Sequence, residues 1–324
     1  MNFKNIVVAG GGILGSQIAF QSAYCGFDVV ILIRKEDSKV SARAKLKKLC
    51  ETYIKTIKEM NTKAGKNPSV WARGIASEKD FSKIKCVRRA NKAYESIVFE
   101  TDQEKALKDA DLVIESITED IDVKKAFYES IASLLPEKTV IVTNSSTLLP
   151  SKMAKYTKRP EKYLAMHFAN SIWKNNIAEV MAHKDTDTKY FDEIVEFAKS
   201  INMIPLAAKE EKAGYLLNSM LVPFLLSAMD LLANNVSDPE TIDKAWTLGT
   251  GAPKGPFQIL DTVGLITAKN IVLQYQKVPN LLDPLLKKMM MPYNFDGMLK
   301  ILDKYIDEGK LGKSSGEGFY KYDK

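Results

Sequence analysis

The sequence predicts an α/β domain built on a mostly parallel sheet, followed by a domain of helices alone. In the first half, short β-branched runs alternate with helical patterns, which is typical of a parallel sheet covered on both faces. The strand signals fade after Ile204–Leu206, and the pattern from about residue 210 to 305 is helical, broken by Pro/Gly turns. Because 324 residues exceed what one core usually holds, we place two domains at residues 1–208 and 209–324. The other predicted strands are Ile6–Ala9, Val29–Ile33, Ile97–Glu100, Leu112–Glu115, Val140–Asn144 and Leu164–His167.

Helical patterns separate most of these strands. The clearest are Gly15–Tyr24, Ser41–Met60 and Asp122–Leu135. The stretch from Lys39 to Tyr94 is long for a single crossover between parallel strands. We therefore predict a helical excursion there, a pair of helices that leaves the sheet. The apolar run Ala213–Val236 contains polar residues and a proline that would be costly in lipid, so it predicts a long buried helix and no membrane span.

A glycine-rich turn links the first predicted strand to the first helix. Gly10, Gly12 and Gly15 have the G-x-G-x-x-G spacing, with Ile13 and Leu14 between the last two glycines. A strand before the turn, a helix after it and a second strand beyond are the context that this motif requires. The free N–H groups of the helix N-terminus favour a pyrophosphate. The turn predicts a nicotinamide dinucleotide site in a Rossmann-type domain.

The end of the second strand bears on which nicotinamide is bound. NAD sites usually carry an Asp or Glu here, which accepts hydrogen bonds from the ribose hydroxyls. This chain has Ile33, followed by Arg34 and Lys35. Because a guanidinium favours a 2′-phosphate, we expect NADP to be used at least as well as NAD. In the alternative, Arg34 stacks on the adenine and Glu36 serves the ribose.

Oxidation of an alcohol needs a group that takes the hydroxyl proton, and histidine suits that duty. The chain has two histidines. His167 ends an apolar strand, at the sheet edge where such folds bind their ligands. His183 lies in a polar turn and is predicted to be solvated. His167 is therefore the candidate general base.

Two further segments supply polar groups to the same edge. Ser146 follows the strand that ends near Asn144, where a hydroxyl can bind a substrate or cofactor oxygen; taken alone, the segment also fits a helix cap. Glu179 lies in an apolar strand, and a buried carboxylate needs a partner. A histidine that it could orient is the natural candidate.

Composition limits the other function classes. The formal charge of +7 is spread along the chain, with a concentration between Lys35 and Lys66, and no nucleic-acid-binding motif accompanies it. That concentration fits a solvated helix face, or a basic rim that attracts an anionic small molecule. Cys25, Cys50 and Cys86 lack metal-ligand spacing and fit buried thiols in a reducing cytoplasm. No targeting signal precedes the first strand. We expect a cytoplasmic protein that binds neither nucleic acid, membrane nor metal.

Several short motifs occur in a characteristic order along the chain. After the glycine turn they are Asp111–Ser116, Asn144–Ser146, His167-Phe168, Ala213–Asn218, Pro253–Phe257 and Gly309–Tyr320. Because its motifs have this order and spacing, the chain resembles the short, two-domain L-3-hydroxyacyl-CoA dehydrogenases over nearly its whole length. The resemblance implies interconversion of a 3-hydroxyacyl-CoA and a 3-ketoacyl-CoA, and a homodimer formed through the helical domain.

The same resemblance assigns roles to individual residues. It implies that His167 is the general base and that Glu179 orients it. Ser146 and Asn218 match residues that bind the substrate oxygen. The resemblance also places Glu115, Glu119 and Asn144 along the cofactor cleft, and the basic excursion near the CoA phosphates.

The segment after His167 departs from the family pattern. Where the family has prolines and small apolar residues, this chain has Ala169–Asn176, including Trp173 and Lys174. We expect these side chains beside the acyl pocket. The departure leaves open a second substrate class, a small polar hydroxy compound such as carnitine or a sugar acid. A non-catalytic dinucleotide-binding protein is a third hypothesis, which the complete set of polar residues disfavours.

Overall fold

The computed structural model describes residues 3–68, 70–276 and 293–322. The chain divides into two compact units, Met1–Leu216 and Leu217–Lys324. The domain boundary after residue 208 stays a prediction. The part of the predicted helical region that covers residues 277–292 lies outside the described residues.

The first unit is built on one sheet, whose strands follow the predicted positions closely. In the described residues the order across the sheet is β3-β2-β1-β4-β5-β6-β7-β8. Neighbouring strands are parallel except for β6 and β7, which are antiparallel. The strands are β1 (Asn5–Ala9), β2 (Asp28–Leu32), β3 (Val98–Glu100), β4 (Leu112–Glu115), β5 (Val140–Thr143), β6 (Tyr163–Phe168), β7 (Ile177–Met181) and β8 (Ile204–Ala208).

Helices cover both faces of this sheet. They are α1 (Ile13–Tyr24), α2 (Ser38–Met60), α3 (Lys83–Ser96), α4 (Gln103–Leu107), α5 (Ile121–Ile131), α6 (Pro150–Met153) and α7 (Thr188–Ser200), with short 3-10 turns at Ala64–Lys66, Ala154–Thr157 and Pro160–Lys162. Helix α5 ends four residues before the predicted end, because Pro136 disfavours helical geometry in the residue before it. The mainly parallel α/β fold is confirmed.

Successive residues of a strand serve opposite faces, as the pleat requires. In β1, Ile6 and Val8 join one core, whereas Val7 joins the core on the other face. Both sets are buried, which is why the central strands are apolar throughout. The sheet edge beyond the strand ends is therefore held rigidly from both sides.

The predicted excursion is a helix pair, α2 and α3, packed together and against α1. Tyr53 of α2 is fully buried, and its hydroxyl donates to Gln21 Oε1 on α1 at 2.6 Å. The Gln21 amide in turn donates to the carbonyls of Gly74 and Ile201, each at 2.8 Å. These buried bonds fix the pair to the domain.

The described part of the second unit is helical. It comprises α8 (Leu217–Ala233), α9 (Pro239–Thr250), α10 (Pro256–Val263), α11 (Leu265–Gln276) and α12 (Phe295–Asp307). The helix predicted from Ala213 begins only at Leu217, because Gly214 and Tyr215 have positive φ angles that a right-handed helix excludes. It is also buried on one side only, since Met220 is 68% exposed. Among the described residues, no helix is long and apolar enough to span a membrane.

A buried aspartate holds the C-terminal tail in this unit. The Asp261 carboxylate, on α10, accepts hydrogen bonds from the backbone N–H groups of Phe319 and Tyr320 and from the Tyr322 hydroxyl, at 2.8–2.9 Å. Burial raises the pKa of this carboxyl above its usual value, against the effect of those bonds. The glycine-rich tail motif thus has a structural partner within its own unit.

Candidate active site

His167 and Glu179 meet because of the register between β6 and β7. The two residues lie directly opposite each other in this antiparallel pair. Opposed residues of such a pair project from the same face of the sheet. Their side chains are buried, with His167 Nδ1 2.9 Å from Glu179 Oε2. The twelve-residue spacing in the sequence is therefore the length of a hairpin that folds a carboxylate onto an imidazole.

Ser146 approaches the other nitrogen of the ring. It follows β5, and its Oγ lies 3.1 Å from His167 Nε2. Since a carboxylate only accepts hydrogen bonds, Glu179 holds the ring proton on Nδ1 and leaves the lone pair on Nε2. The three residues thus form a carboxylate–imidazole–hydroxyl chain with a proton-accepting nitrogen on the serine side.

Glu119 organises the loop that carries Ser146. Its Oε1 accepts hydrogen bonds from the Ser145 hydroxyl and from the backbone N–H groups of Ser146 and Thr147, at 2.6–3.0 Å. Burial raises the pKa of Glu119, but these bonds and the Lys124 charge outweigh it, and the pKa lies below its usual value. Glu119 is therefore ionised and directed into the serine loop.

Glu115, the last residue of β4, is fully buried. Its Oε1 accepts from the Lys124 ammonium at 2.5 Å, and its Oε2 accepts from Tyr128 and Thr143 at 2.8 Å each. Both oxygens thus have protein donors. A buried charge needs this degree of pairing. Sequence patterns alone do not reveal these partners.

Asn144 connects the ends of two central strands. Its Oδ1 accepts from the Phe168 backbone N–H at 3.1 Å, and its Nδ2 lies 3.4 Å from Ser116 Oγ. Phe168 follows His167 directly, so the amide helps to fix the strand end that carries the imidazole.

Tyr215 is a site residue that the sequence analysis missed. Its ring stacks on the His167 imidazole, with 4.6 Å between ring centroids and an angle of 13° between the planes. Its hydroxyl donates to the Ser145 carbonyl at 2.8 Å. The next residue, Leu216, donates its N–H to Glu179 Oε1 at 2.9 Å. The motif that contains Tyr215 was noted, but no local pattern indicates that the ring lies on a histidine.

The glycine turn has the close contacts that its motif predicts. A Cβ on Gly15 would lie 2.2 Å from the Gly10 carbonyl oxygen, and one on Gly10 would lie 2.4 Å from the Ser116 carbonyl oxygen. Helix α1 starts after Gly12 with no side-chain cap, so its first N–H groups remain available to a phosphate. Ile13 is exposed and Leu14 half-buried at this end. These residues fit the diphosphate of a dinucleotide.

The ribose end of this site is basic. Ile33 is buried, with its Cγ2 3.2 Å from where a Gly11 Cβ would be, whereas Arg34 and Lys35 are exposed. Lys45, another residue that the sequence analysis missed, reaches over from α2 and donates from Nζ to the Gly11 carbonyl at 3.2 Å. Three cations thus surround the strand end.

Glu36 is engaged elsewhere. It forms an ion pair with Lys39 at 2.8 Å and accepts a 2.7 Å hydrogen bond from the Thr101 hydroxyl. These bonds direct it toward the chain after β3. The alternative in which Glu36 binds a ribose stays a prediction.

Comparison with known proteins identifies the family. Residues 5–211 match the model of the 3-hydroxyacyl-CoA dehydrogenase NAD binding domain, and residues 214–322 match that of the 3-hydroxyacyl-CoA dehydrogenase C-terminal domain. The chain belongs to the 3-hydroxyacyl-CoA dehydrogenase family. The predicted resemblance and the predicted two-part fold are confirmed.

Two curated relatives and one solved structure show how far this dehydrogenase resembles individual members. It is 31% identical to the mitochondrial hydroxyacyl-coenzyme A dehydrogenase of Homo sapiens over 98% of this chain and 91% of the relative. It is 30% identical to a 3-hydroxybutyryl-CoA dehydrogenase of Clostridioides difficile over 98% and 99% of the two chains. The solved structure of a diketoreductase, described as a dual catalyst acting on dicarbonyl compounds, is 42% identical in sequence, with a TM-score of 0.81. The match covers 99% of this chain and 100% of the diketoreductase.

The segment after His167 packs against the core of its own unit. Trp173 is buried, and its ring centroid lies 5.3 Å from that of Tyr53. Its neighbour Lys174 is exposed. The expected position of these side chains beside the acyl pocket stays a prediction. Gln17 Oε1, on α1, accepts hydrogen bonds from the backbone N–H groups of Ser171 and Ile172, at 2.8 and 3.3 Å. The departure from the family pattern therefore anchors this loop of the dehydrogenase to α1 and α2.

The prediction of a solvated His183 is wrong. Its side chain is buried and packs near the Tyr163 ring, with 6.1 Å between centroids. A polar turn suggested solvent, but the turn closes on its own histidine: the Asp185 N–H donates to His183 Nδ1, and the His183 N–H donates to the Thr186 hydroxyl.

Asn218 lies in the first turn of α8, in the second unit. Its part in the dehydrogenase active site stays a prediction.

Proposed function

We propose that this chain is an NAD(P)-dependent dehydrogenase that interconverts a 3-hydroxyacyl-CoA and the corresponding 3-ketoacyl-CoA. The observation that carries the proposal is the buried Glu179–His167–Ser146 chain, with a proton-accepting Nε2 in a domain that fits a dinucleotide. The printed names of the human and clostridial relatives support this substrate class.

In the oxidation direction, His167 Nε2 takes the substrate hydroxyl proton. The turn that contains Gly10, Gly12 and Gly15 would hold a nicotinamide dinucleotide, which would supply the redox chemistry as the acceptor of the C3 hydride. The imidazolium that forms is stabilised by the Glu179 carboxylate, 2.9 Å from Nδ1. The Ser146 hydroxyl binds the same substrate oxygen, and Asn218 is proposed to assist it. In reduction, Nε2 returns the proton.

Other cofactor and CoA contacts belong to the same proposal. Glu119 and Asn144 act by holding the Ser146 loop and the His167 strand end, and Glu115 acts by fixing Lys124. The CoA phosphates are proposed to lie along α2, which exposes a set of lysines. Its members are Lys45, Lys47, Lys48, Lys55 and Lys58.

We propose that NADP is used at least as well as NAD. Ile33 removes the carboxylate that would repel a 2′-phosphate, and Arg34, Lys35 and Lys45 supply positive charge at the ribose end. The Lys39 and Thr101 bonds of Glu36 support the same preference, because they draw its negative charge away.

Replacing Lys45 with Met tests this cofactor preference. We expect kcat/KM for NADPH to fall about tenfold while that for NADH stays within about twofold, because a charged hydrogen bond to a phosphate contributes roughly 1.5–3 kcal/mol. Lys184→Met, at an exposed lysine outside α2, is the matched control. A wild-type enzyme with a strong preference for NADH would contradict the proposal.

A second substrate class has support from the diketoreductase structure, whose 42% identity exceeds that of the two curated relatives described above. It is reduction of a free dicarbonyl compound, with the same His167 chemistry and no thioester.

Initial rates with NADPH and NADH separate these substrates. We expect acetoacetyl-CoA to be reduced with a much higher kcat/KM than 2,4-pentanedione, because α2 offers cations to the CoA phosphates. Faster reduction of the free diketone would favour the second class, and turnover of carnitine alone would favour a small polar hydroxy compound. Loss of neither reduced cofactor with any of them would overturn an enzymatic function.

We further propose a homodimer formed through the helical unit and a cytoplasmic location. Leu248 is 84% exposed and Met220 68% exposed, and such apolar surface favours association. The three cysteines are free thiols, which suits a reducing compartment.

A further inference from the structure

The segment Gly214–Leu216 contacts every member of the Glu179–His167–Ser146 chain. The Gly214 N–H donates to the Ser146 carbonyl at 3.1 Å, and the Leu216 N–H donates to Glu179 Oε1 at 2.9 Å. Between them, the Tyr215 ring lies flat on the imidazole. Three consecutive residues thus contact all three members of the proposed catalytic group.

Tyr215 holds an unfavourable backbone conformation to achieve this. Its φ is 51°, in the left-handed region that bulky residues rarely adopt. The surrounding structure fixes it there, through the hydrogen bond from its N–H to the Lys212 carbonyl and through its hydroxyl on the Ser145 carbonyl. Such strained residues cluster where a site requires a particular geometry.

The stacked ring has an electrostatic consequence. The π face of an aromatic ring attracts a cation within about 6 Å, and the 4.6 Å centroid distance lies inside that range. In the proposed oxidation, the imidazole becomes a cation when it takes the substrate proton. The ring therefore favours the charged form of His167 that the reaction creates, while it also prevents the imidazole from rotating away from Ser146.

We propose that Tyr215 is a positioning residue of the dehydrogenase, whose aromatic face fixes the His167 ring and stabilises its protonated form. This inference rests on the proposed role of His167. The stacking requires the ring, and the hydroxyl only helps to hold it in place, so the two can be separated by substitution.

Tyr215→Phe and Tyr215→Met are the matched pair, because both keep the bulk at the same φ and only Phe keeps the π face. With acetoacetyl-CoA and NADPH, we expect the Phe variant to retain kcat within about threefold and the Met variant to lose about tenfold. The KM for NADPH should be unchanged in both. In proton NMR, the His167 ring signals, assigned with His167→Gln, should lose their ring-current shift in the Met variant only.

A wild-type kcat in the Met variant, or an equal loss in both variants, would overturn the inference. If the Met variant does not fold, the Phe variant decides. A tenfold fall of its kcat contradicts the role of the ring, and a retained kcat with the His167 signals at their wild-type positions supports it. Failure of the proposed function looks different, since the wild-type enzyme would then not reduce acetoacetyl-CoA, or His167→Gln would keep the wild-type kcat. The NMR signature needs no substrate, so it tests the stacking even if another substrate is used.

Discussion

Replacing His167 with Gln should lower kcat by about two to four orders of magnitude, which is what a general base usually contributes. Glutamine can still bond to Ser146, but its amide cannot take a proton from the substrate hydroxyl. The buried Nδ1–Oε2 contact with Glu179 is also lost. Steady-state rates with NADPH and acetoacetyl-CoA, and the reverse reaction, measure the effect.

His183→Gln is the matched control for this substitution. His183 is the chain's other histidine and is likewise buried, but its ring packs near Tyr163 and contacts Asp185. Its variant should keep kcat if it folds, as a thermal melt will show. An unchanged kcat in His167→Gln would remove the proposed mechanism.

Replacing Glu179 with Gln should lower kcat by roughly a hundredfold, within the range of general-base effects. An amide can donate to Nδ1, which moves the ring proton to Nε2 and removes the lone pair that faces Ser146. The imidazolium also loses its counter-charge. KM for NADPH should change little, because Glu179 lies on β7 and away from the glycine turn.

Glu137→Gln provides the control, since Glu137 is an exposed partner of Lys162. A Glu179→Gln variant that matches this control in kcat would show that the carboxylate does not orient the imidazole. The two outcomes differ enough to be separated in a single set of initial rates.

The strands and the glycine turn could be predicted because their signals lie within short stretches of the sequence. The apolar runs placed the strands because parallel strands buried on both faces are apolar throughout. Gly10, Gly12 and Gly15 indicated the dinucleotide turn by their spacing, and at Gly10 and Gly15 only a residue without a side chain fits the contacts. His167 and Glu179 were chosen from their strand positions and their side-chain chemistry, and the family resemblance implied the same roles. The register of β6 with β7 explains why they meet.

What the sequence did not reveal depends on distant partners. Glu115 could not be recognised as an internal ion pair without Lys124 and Tyr128 around it, residues that lie on the following helix. Tyr215 lies 48 positions from the ring that it covers, and its positive φ leaves no pattern in the sequence. Likewise, nothing in the sequence around Trp173 shows that its ring packs against Tyr53, which lies 120 positions earlier in the chain.

The most direct test of the central claim is a crystal structure with NADP⁺ and a bound 3-ketoacyl-CoA. We expect His167 Nε2 to lie about 2.6–3.2 Å from the C3 oxygen, the range for proton transfer, with the nicotinamide ring on the other side of C3. Glu179 should remain on Nδ1. A complex in which the reacting oxygen faces other groups, with the His167 imidazole turned away from the nicotinamide, would contradict it.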